Sequence, residues 1–102
     1  MEIKNFNYSV EKFIQSLEKQ TIAKIIHAID LLGKFGNELG MPHSKKISDK
    51  LFELRILGRQ NIRIIYAYHD RKIVLLHGFV KKSFGIPKKE INLAVKRLNK
   101  VE

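Results

Sequence analysis

Apolar residues recur at helical spacing twice near the start of the chain. In "SVEKFIQSL", Val10, Phe13, Ile14 and Leu17 share one face, Ser9 is placed as the N-cap and Glu11 stands near the positive end of the helix dipole. In "TIAKIIHAIDLLGKFG" the stripe runs through Ile22, Ile25, Ile26, Ile29, Leu32 and Phe35, and Gly36 is placed as the C-terminal stop. A helical hairpin is expected. His27 lies beside the stripe and reads as a packed or surface residue rather than a ligand.

The pattern then changes. Residues 37–50, "NELGMPHSKKISDK", have no period and read as a connecting loop. Three extended segments follow, at 51–57, 62–68 and 72–80, separated by the short breaks "GRQN" and "HDRK", which implies an antiparallel meander. Finally "PKKEINLAVKRLNK" has Pro87 at a helix start, with Ile91, Val95 and Leu98 along one face. The expected fold is α+β: two N-terminal helices, a three-stranded antiparallel sheet and a C-terminal helix, in one domain over residues 1–102. The sheet becomes four-stranded if "EIKNFNY" adds a short edge strand.

Alternation divides the strands into faces. Phe52, Leu54 and Ile56 point one way and Glu53 and Arg55 the other; Ile62, Ile64, Tyr66 and Tyr68 share a face opposite Arg63. With helices covering the apolar side, Arg55 and Arg63 belong to an exposed face, and Tyr66 and Tyr68 to the core. The third strand ends in Lys81 and Lys82, which point to opposite sides. If His69 pairs with Lys72 across a two-residue turn, Arg63 sits beside Gly78, which leaves the exposed face uncluttered, and that face leads to Lys82. A one-residue change of register selects Lys81 instead.

Charge narrows the function. The formal net charge is +10, and it is lopsided: residues 1–40 hold five basic and five acidic side chains, whereas residues 41–102 hold fifteen and five. A solvated basic surface is the plain reading, and a polyanion the sharper one. Nucleic acid leads, because phosphates reward clustered Lys and Arg through counterion release. A membrane surface fits less well, since the basic region reads mostly as strand. The chain has no cysteine, which excludes disulfides, thiolate metal sites and cysteine nucleophiles. His43, His69 and His77 lack ligand-like spacing and no acidic cluster would hold magnesium, so no metal or other cofactor is expected. With no secretory signal pattern at the start and no long apolar run, a cytoplasmic location is expected.

Together "LGMPHSKK", "FELR", "RIIY", "LLHGFVKK" and "PKKEINLAVKRL" resemble the RelE/HigB superfamily of toxins from toxin-antitoxin systems, particularly its phage-derived branch, over roughly residues 8–100. The resemblance implies a RelE-like, microbial RNase-type αα-βββ-α fold and ribosome-dependent cleavage of messenger RNA that inhibits translation. It also implies a cognate antitoxin, often a helix-turn-helix protein. Position by position, Arg63 matches the second-strand arginine used on the RNA backbone, Lys81 and Lys82 match the basic cluster after the last strand, and Arg55 is a motif position. Where better-known members carry a lysine before the "LR" pair, this chain has Glu53.

The chemistry is compatible with these residues. RNA can be cleaved by its own 2′-hydroxyl, so the protein needs to orient the chain and stabilise growing negative charge, a task for Arg55, Arg63, Lys81 and Lys82. Lys81, Lys82, His77, Tyr66 and Glu53 are all candidates for a general base, and the sequence does not choose among them. Lys45 and Lys46 are candidate phosphate contacts. His77 reads as a core residue or an RNA contact, and Phe84 as a base-stacking platform or a staple for the last helix. The competing reading is a noncatalytic basic RNA-binding module, since the final lysine-led helix superficially resembles that of double-stranded RNA-binding domains.

Overall fold

Asp70 and Arg71 both take left-handed backbone angles, φ 51° and 63°. A two-residue hairpin turn with φ > 0 at both positions matches the twist of the strands it joins. Here it joins β4 (Ile62–His69) to β5 (Lys72–Val80), which run antiparallel from the pair His69–Lys72. The computed structural model describes residues 1–102 and adds β1 (Glu2–Asn5), α1 (Tyr8–Gln15), α2 (Lys19–Phe35), β2 (Ser44–Lys46), β3 (Phe52–Ile56) and α3 (Lys88–Val101). No helix is long and apolar enough to cross a membrane.

The sheet is five-stranded and mixed, in the order β1-β5-β4-β3-β2. This corrects the expected three- or four-stranded antiparallel sheet of a RelE-like fold led by two helices. β1 precedes both helices and pairs with β5 in parallel, Glu2 against Lys72 through Asn5 against Leu75. β2 lies inside the segment read as loop and pairs antiparallel with β3. Both are short edge strands with few buried side chains, so backbone pairing holds them and leaves no apolar alternation to read. At α1 the cap is Asn7, whose Oδ1 accepts from the Ser9 amide at 3.0 Å, and Ser9 is inside the helix rather than capping it. In α2 the buried apolar set is Ile25, Ala28 and Leu32; Ile26 and Phe35 are exposed.

Helices cover both faces of the sheet, not one. Under α1 and α2 lie Ile25, Leu32, Leu54, Ile64, Tyr66, Leu75 and their neighbours. Under α3 lie Ile65, Ala67, Val74, Leu76 and Phe79 against Ala94 and Leu98. Glu53, Arg55 and Arg63 fall on this second side by alternation, and Arg63 is only 4 % exposed.

A β-bulge decides how β5 lies against that side. Tyr66 pairs with Leu75 but Ile65 with His77, so Leu76 is one residue in excess. Bulges place two residues opposite one and turn the following side chains over. The two-residue turn is present as the sequence suggested, yet beyond the bulge Arg63 pairs with Phe79, not Gly78. Gly78 instead faces α1. A Cβ there would stand 2.7 and 2.8 Å from the Phe13 ring, so the missing side chain admits Phe13 and does not clear the arginine side.

Replacing Gly78 with alanine should therefore cost about 1–3 kcal/mol through overpacking. Phe13→Leu in the same chain should recover part of it; two additive losses in urea titrations would refute the contact. A second outcome concerns Tyr66 and Tyr68, packed edge-on at 5.9 Å. Burial raises the Tyr66 phenol, opposed by hydrogen bonds from Ser44, at 2.6 Å, and from Tyr68. Burial, then the neighbouring Tyr66, pushes Tyr68 up to about 12. Folding favours the neutral phenols, so this stability is complete below about pH 10 and is lost as the pH rises through about 12. Tyr68→Phe should flatten that alkaline loss, and an unchanged slope of stability against pH would contradict the assignment.

Candidate functional site

The site grows from strand alternation and register. On β3, Glu53 and Arg55 share a face two residues apart; pairing sets Arg55 directly opposite Arg63 on β4 and Lys45 on β2 opposite Glu53. After the bulge, Phe79 opposes Arg63, and Lys81 follows two residues later on the same side. The start of α3 leaves this corner unroofed. The result is a cleft of about 380 Å³ in which Lys45, Lys46, Arg55, Arg63 and Lys81 surround Glu53, with Met41, Ile47, Ile86 and Ile91 as walls.

Its electrostatics are unbalanced. Like charges directly opposite in a sheet destabilise it, and Arg55 and Arg63 share a single carboxylate: their Nε atoms stand 3.7 and 3.8 Å from the same Glu53 Oε1. Glu53 Oε2 and both Nε atoms have no hydrogen-bond partner within the protein. Arg63 donates from NH1 to the Ile62 carbonyl at 3.1 Å. Burial pulls the Arg63 guanidinium below its ordinary value and Arg55 adds to this, while Glu53 opposes both; a guanidinium nevertheless stays charged. The Arg55 amide donates to the His43 carbonyl at 2.8 Å, and its NH1 reaches Met41 Sδ at 3.2 Å. Two fixed guanidinium groups with spare donors, rimmed by lysines, suit a phosphate diester better than a carboxylate-bearing ligand.

The eight residues singled out from the sequence divide. Arg55, Arg63, Lys45, Lys46 and Lys81 meet in the cleft. Lys82 turns away, so the bulge answers which lysine follows Arg63. Lys82 and fully exposed Phe84 line an adjoining hollow of about 370 Å³, shared with Lys81, whose Nζ donates to the Ser83 carbonyl at 2.6 Å. His77 stands outside the cleft. Its Nε2 is 3.0 Å from Glu90 Oε1 on α3, and its ring stacks on Phe79 at 5.8 Å. Tyr66 points to the other side of the sheet. Met41 was missed because a methionine in an aperiodic segment carries no signal, whereas the shared face of Glu53 and Arg55 could have foretold their pairing.

A model described as "Phage derived protein Gp49-like (DUF891)" matches residues 12–99. The chain belongs to this family. It is also 38 % identical over 74 residues to a Mycobacterium tuberculosis protein named "Putative toxin HigB3". That alignment covers 68 % of this chain and 64 % of the relative, so the chain spans less than two thirds of the relative's length. In this Gp49-like chain the matched segment contains every residue of the cleft.

The arginine pair makes Glu53 a structural hinge of the site. Glu53→Gln keeps the shape and removes the only negative charge, and breaking a buried ion pair costs about 3–5 kcal/mol. Because the contacts are loose, the loss should fall near the lower end, about 3 kcal/mol. Adding Arg55→Met should return much of it in a double-mutant cycle; strict additivity would count against the coupling.

Proposed function

We propose that this Gp49-like protein is the toxin of a toxin-antitoxin system and acts as an endoribonuclease on messenger RNA at the ribosome. The observation that carries the reading is the directly opposed pair of half-buried Arg55 and buried Arg63 with one carboxylate between them, in a cleft shared with Lys45, Lys46 and Lys81. The named toxin among its relatives and the resemblance to the RelE/HigB superfamily point the same way.

In the reaction the 2′-oxygen bonds to phosphorus as the P–O5′ bond breaks, leaving a 2′,3′-cyclic phosphate and a 5′-hydroxyl. Arg55 and Arg63 hold the nonbridging oxygens, where preorganised positive charge gives the largest effect. Of the candidate bases, Tyr66 faces the core and His77 is engaged by Glu90. Glu53 Oε2 is sealed from solvent, so the 2′ proton passes to water, and the Lys81 ammonium supplies the proton for the departing 5′-oxygen. Lys82 and Phe84 border the path of the chain, with Phe84 as a platform for an unpaired base. The partner is a cognate antitoxin, read as a helix-turn-helix protein, that presents negative charge to the basic side.

Induction in a bacterium should stop translation and growth; soluble protein with unaffected growth would overturn the reading. Lys81→Ala should lower cleavage by about 10²- to 10³-fold, as removal of one charge-stabilising donor does, whereas Lys82→Ala should cost far less. Equal losses would refute the assignment by register. RNA affinity should fall with salt at a log–log slope of about −3.5 for five cationic side chains on a single strand. Tight binding to duplex RNA without cleavage on translating ribosomes would favour the noncatalytic module.

A further inference from the structure

A second cavity opens at the other end of Arg55. Beyond the short β2–β3 pairing, the end of β3 at Ile56 and the following Leu57 have no strand beside them on that edge, and α2 packs against β3. Between them lies a pocket of about 420 Å³, within the range of small-molecule sites, about 300–1,000 Å³. Its floor is apolar, from Ala23, Ala28, Pro42, Ile56 and Leu57, and its polar groups are Lys24, His27, His43 and Arg55. No acidic residue lines it. Lys24 Nζ donates to the Leu57 carbonyl at 3.2 Å, which fixes one wall. Arg55 alone belongs to both this pocket and the cationic cleft.

We propose that this pocket is a nucleobase subsite, taking one unpaired base of the strand whose phosphate sits on Arg55. The proposal rests on the ribonuclease reading for the cleft and adds a specificity-determining site to it. The chemistry follows from the lining. A flat apolar floor removes a base face from water, imidazole rings stack on or bond to base edges, and a rim that is cationic without a carboxylate excludes acids and accepts the attached phosphate. Arg55, the one residue common to both cavities, fixes the register between the inserted base and the phosphate in the cleft. An acidic peptide of a protein partner shares only the charge complementarity, and has no need of the apolar floor.

Ala23 is exposed and lines this pocket but not the cleft. Ala23→Phe therefore fills the pocket while leaving the cleft in place. The probe is a 2′-O-methyl pentaribonucleotide, which cannot be cleaved, read by fluorescence anisotropy, with one abasic position moved along it. One abasic position should weaken binding to the unaltered protein by about 5- to 150-fold, the worth of one stacked base. In Ala23→Phe that sensitivity should vanish. His27→Ala, at an exposed position, should reduce the same sensitivity and serves if Ala23→Phe fails to fold. Separately, a nucleoside monophosphate should shift the amide resonances of Ala23, Ala28 and Leu57 in the unaltered protein, a readout independent of cleavage. Absence of those shifts, or an abasic penalty unchanged in both variants, overturns the subsite. Loss of cleavage in Lys81→Ala with no effect of Ala23→Phe on binding leaves the ribonuclease reading standing and sinks this one. Loss of partner inhibition in Ala23→Phe with RNA binding intact assigns the pocket to a protein and also overturns the proposal.

Discussion

One extra residue in β5 governs the geometry of this protein. Without the bulge at Leu76, the His69–Lys72 turn would bring Gly78 beside Arg63 and carry Lys82 onto that side. With it, Leu76 and His77 both face α3, and the strand gains two attachments for that helix. Arg97 donates to the Leu76 carbonyl at 2.7 Å, and Glu90 meets His77 at 3.0 Å. The same irregularity thus seats α3 and selects Lys81. An otherwise regular strand of nine residues would do neither.

The cleft is costly for its size. Arg63 is desolvated, opposes Arg55, and shares one carboxylate with it, an arrangement that lowers stability relative to apolar residues of similar volume. The surrounding sheet offsets that cost. Ile64, Ile65 and Leu54 flank the charged positions and are completely buried, on one side by α2 and on the other by α3. Conflict between local charge and global packing is the kind of departure expected at a functional site.

Legibility in the sequence follows from where the stabilising energy comes from. β3, β4 and α3 bury side chains and therefore print a period, and β5, buried on both faces, prints an apolar run; Pro87 and the "HDRK" break mark their ends. β1 and β2 owe their place to backbone pairing at sheet edges, so "EIKNFNY" suggests no more than a possible edge strand and Lys45 and Lys46 read as loop lysines. The bulge is silent because "VLLHG" is apolar through both possible registers, and apolar residues fit either buried face. Arg55 and Arg63 were recognisable as facing the same way, but not the burial of Arg63, which depends on α3 crossing the side expected to be open.

That burial changes what the arginines can do. An exposed guanidinium must be ordered as the ligand arrives, at a cost in side-chain entropy. The Arg63 guanidinium is held by the Ile62 carbonyl and by packing, and that of Arg55 by Met41 and Glu53, so both are restrained before any ligand enters. Lys45, exposed at the rim, has no such restraint, and Lys46 only rests over the Phe52 ring at 5.9 Å. The division is physical: a rigid pair at the centre supplies geometry at no further ordering cost, and flexible cations around it supply long-range attraction. A cleft lined only by exposed lysines would collect polyanions without fixing one phosphate, and a restrained pair without the rim would fix one without attracting it.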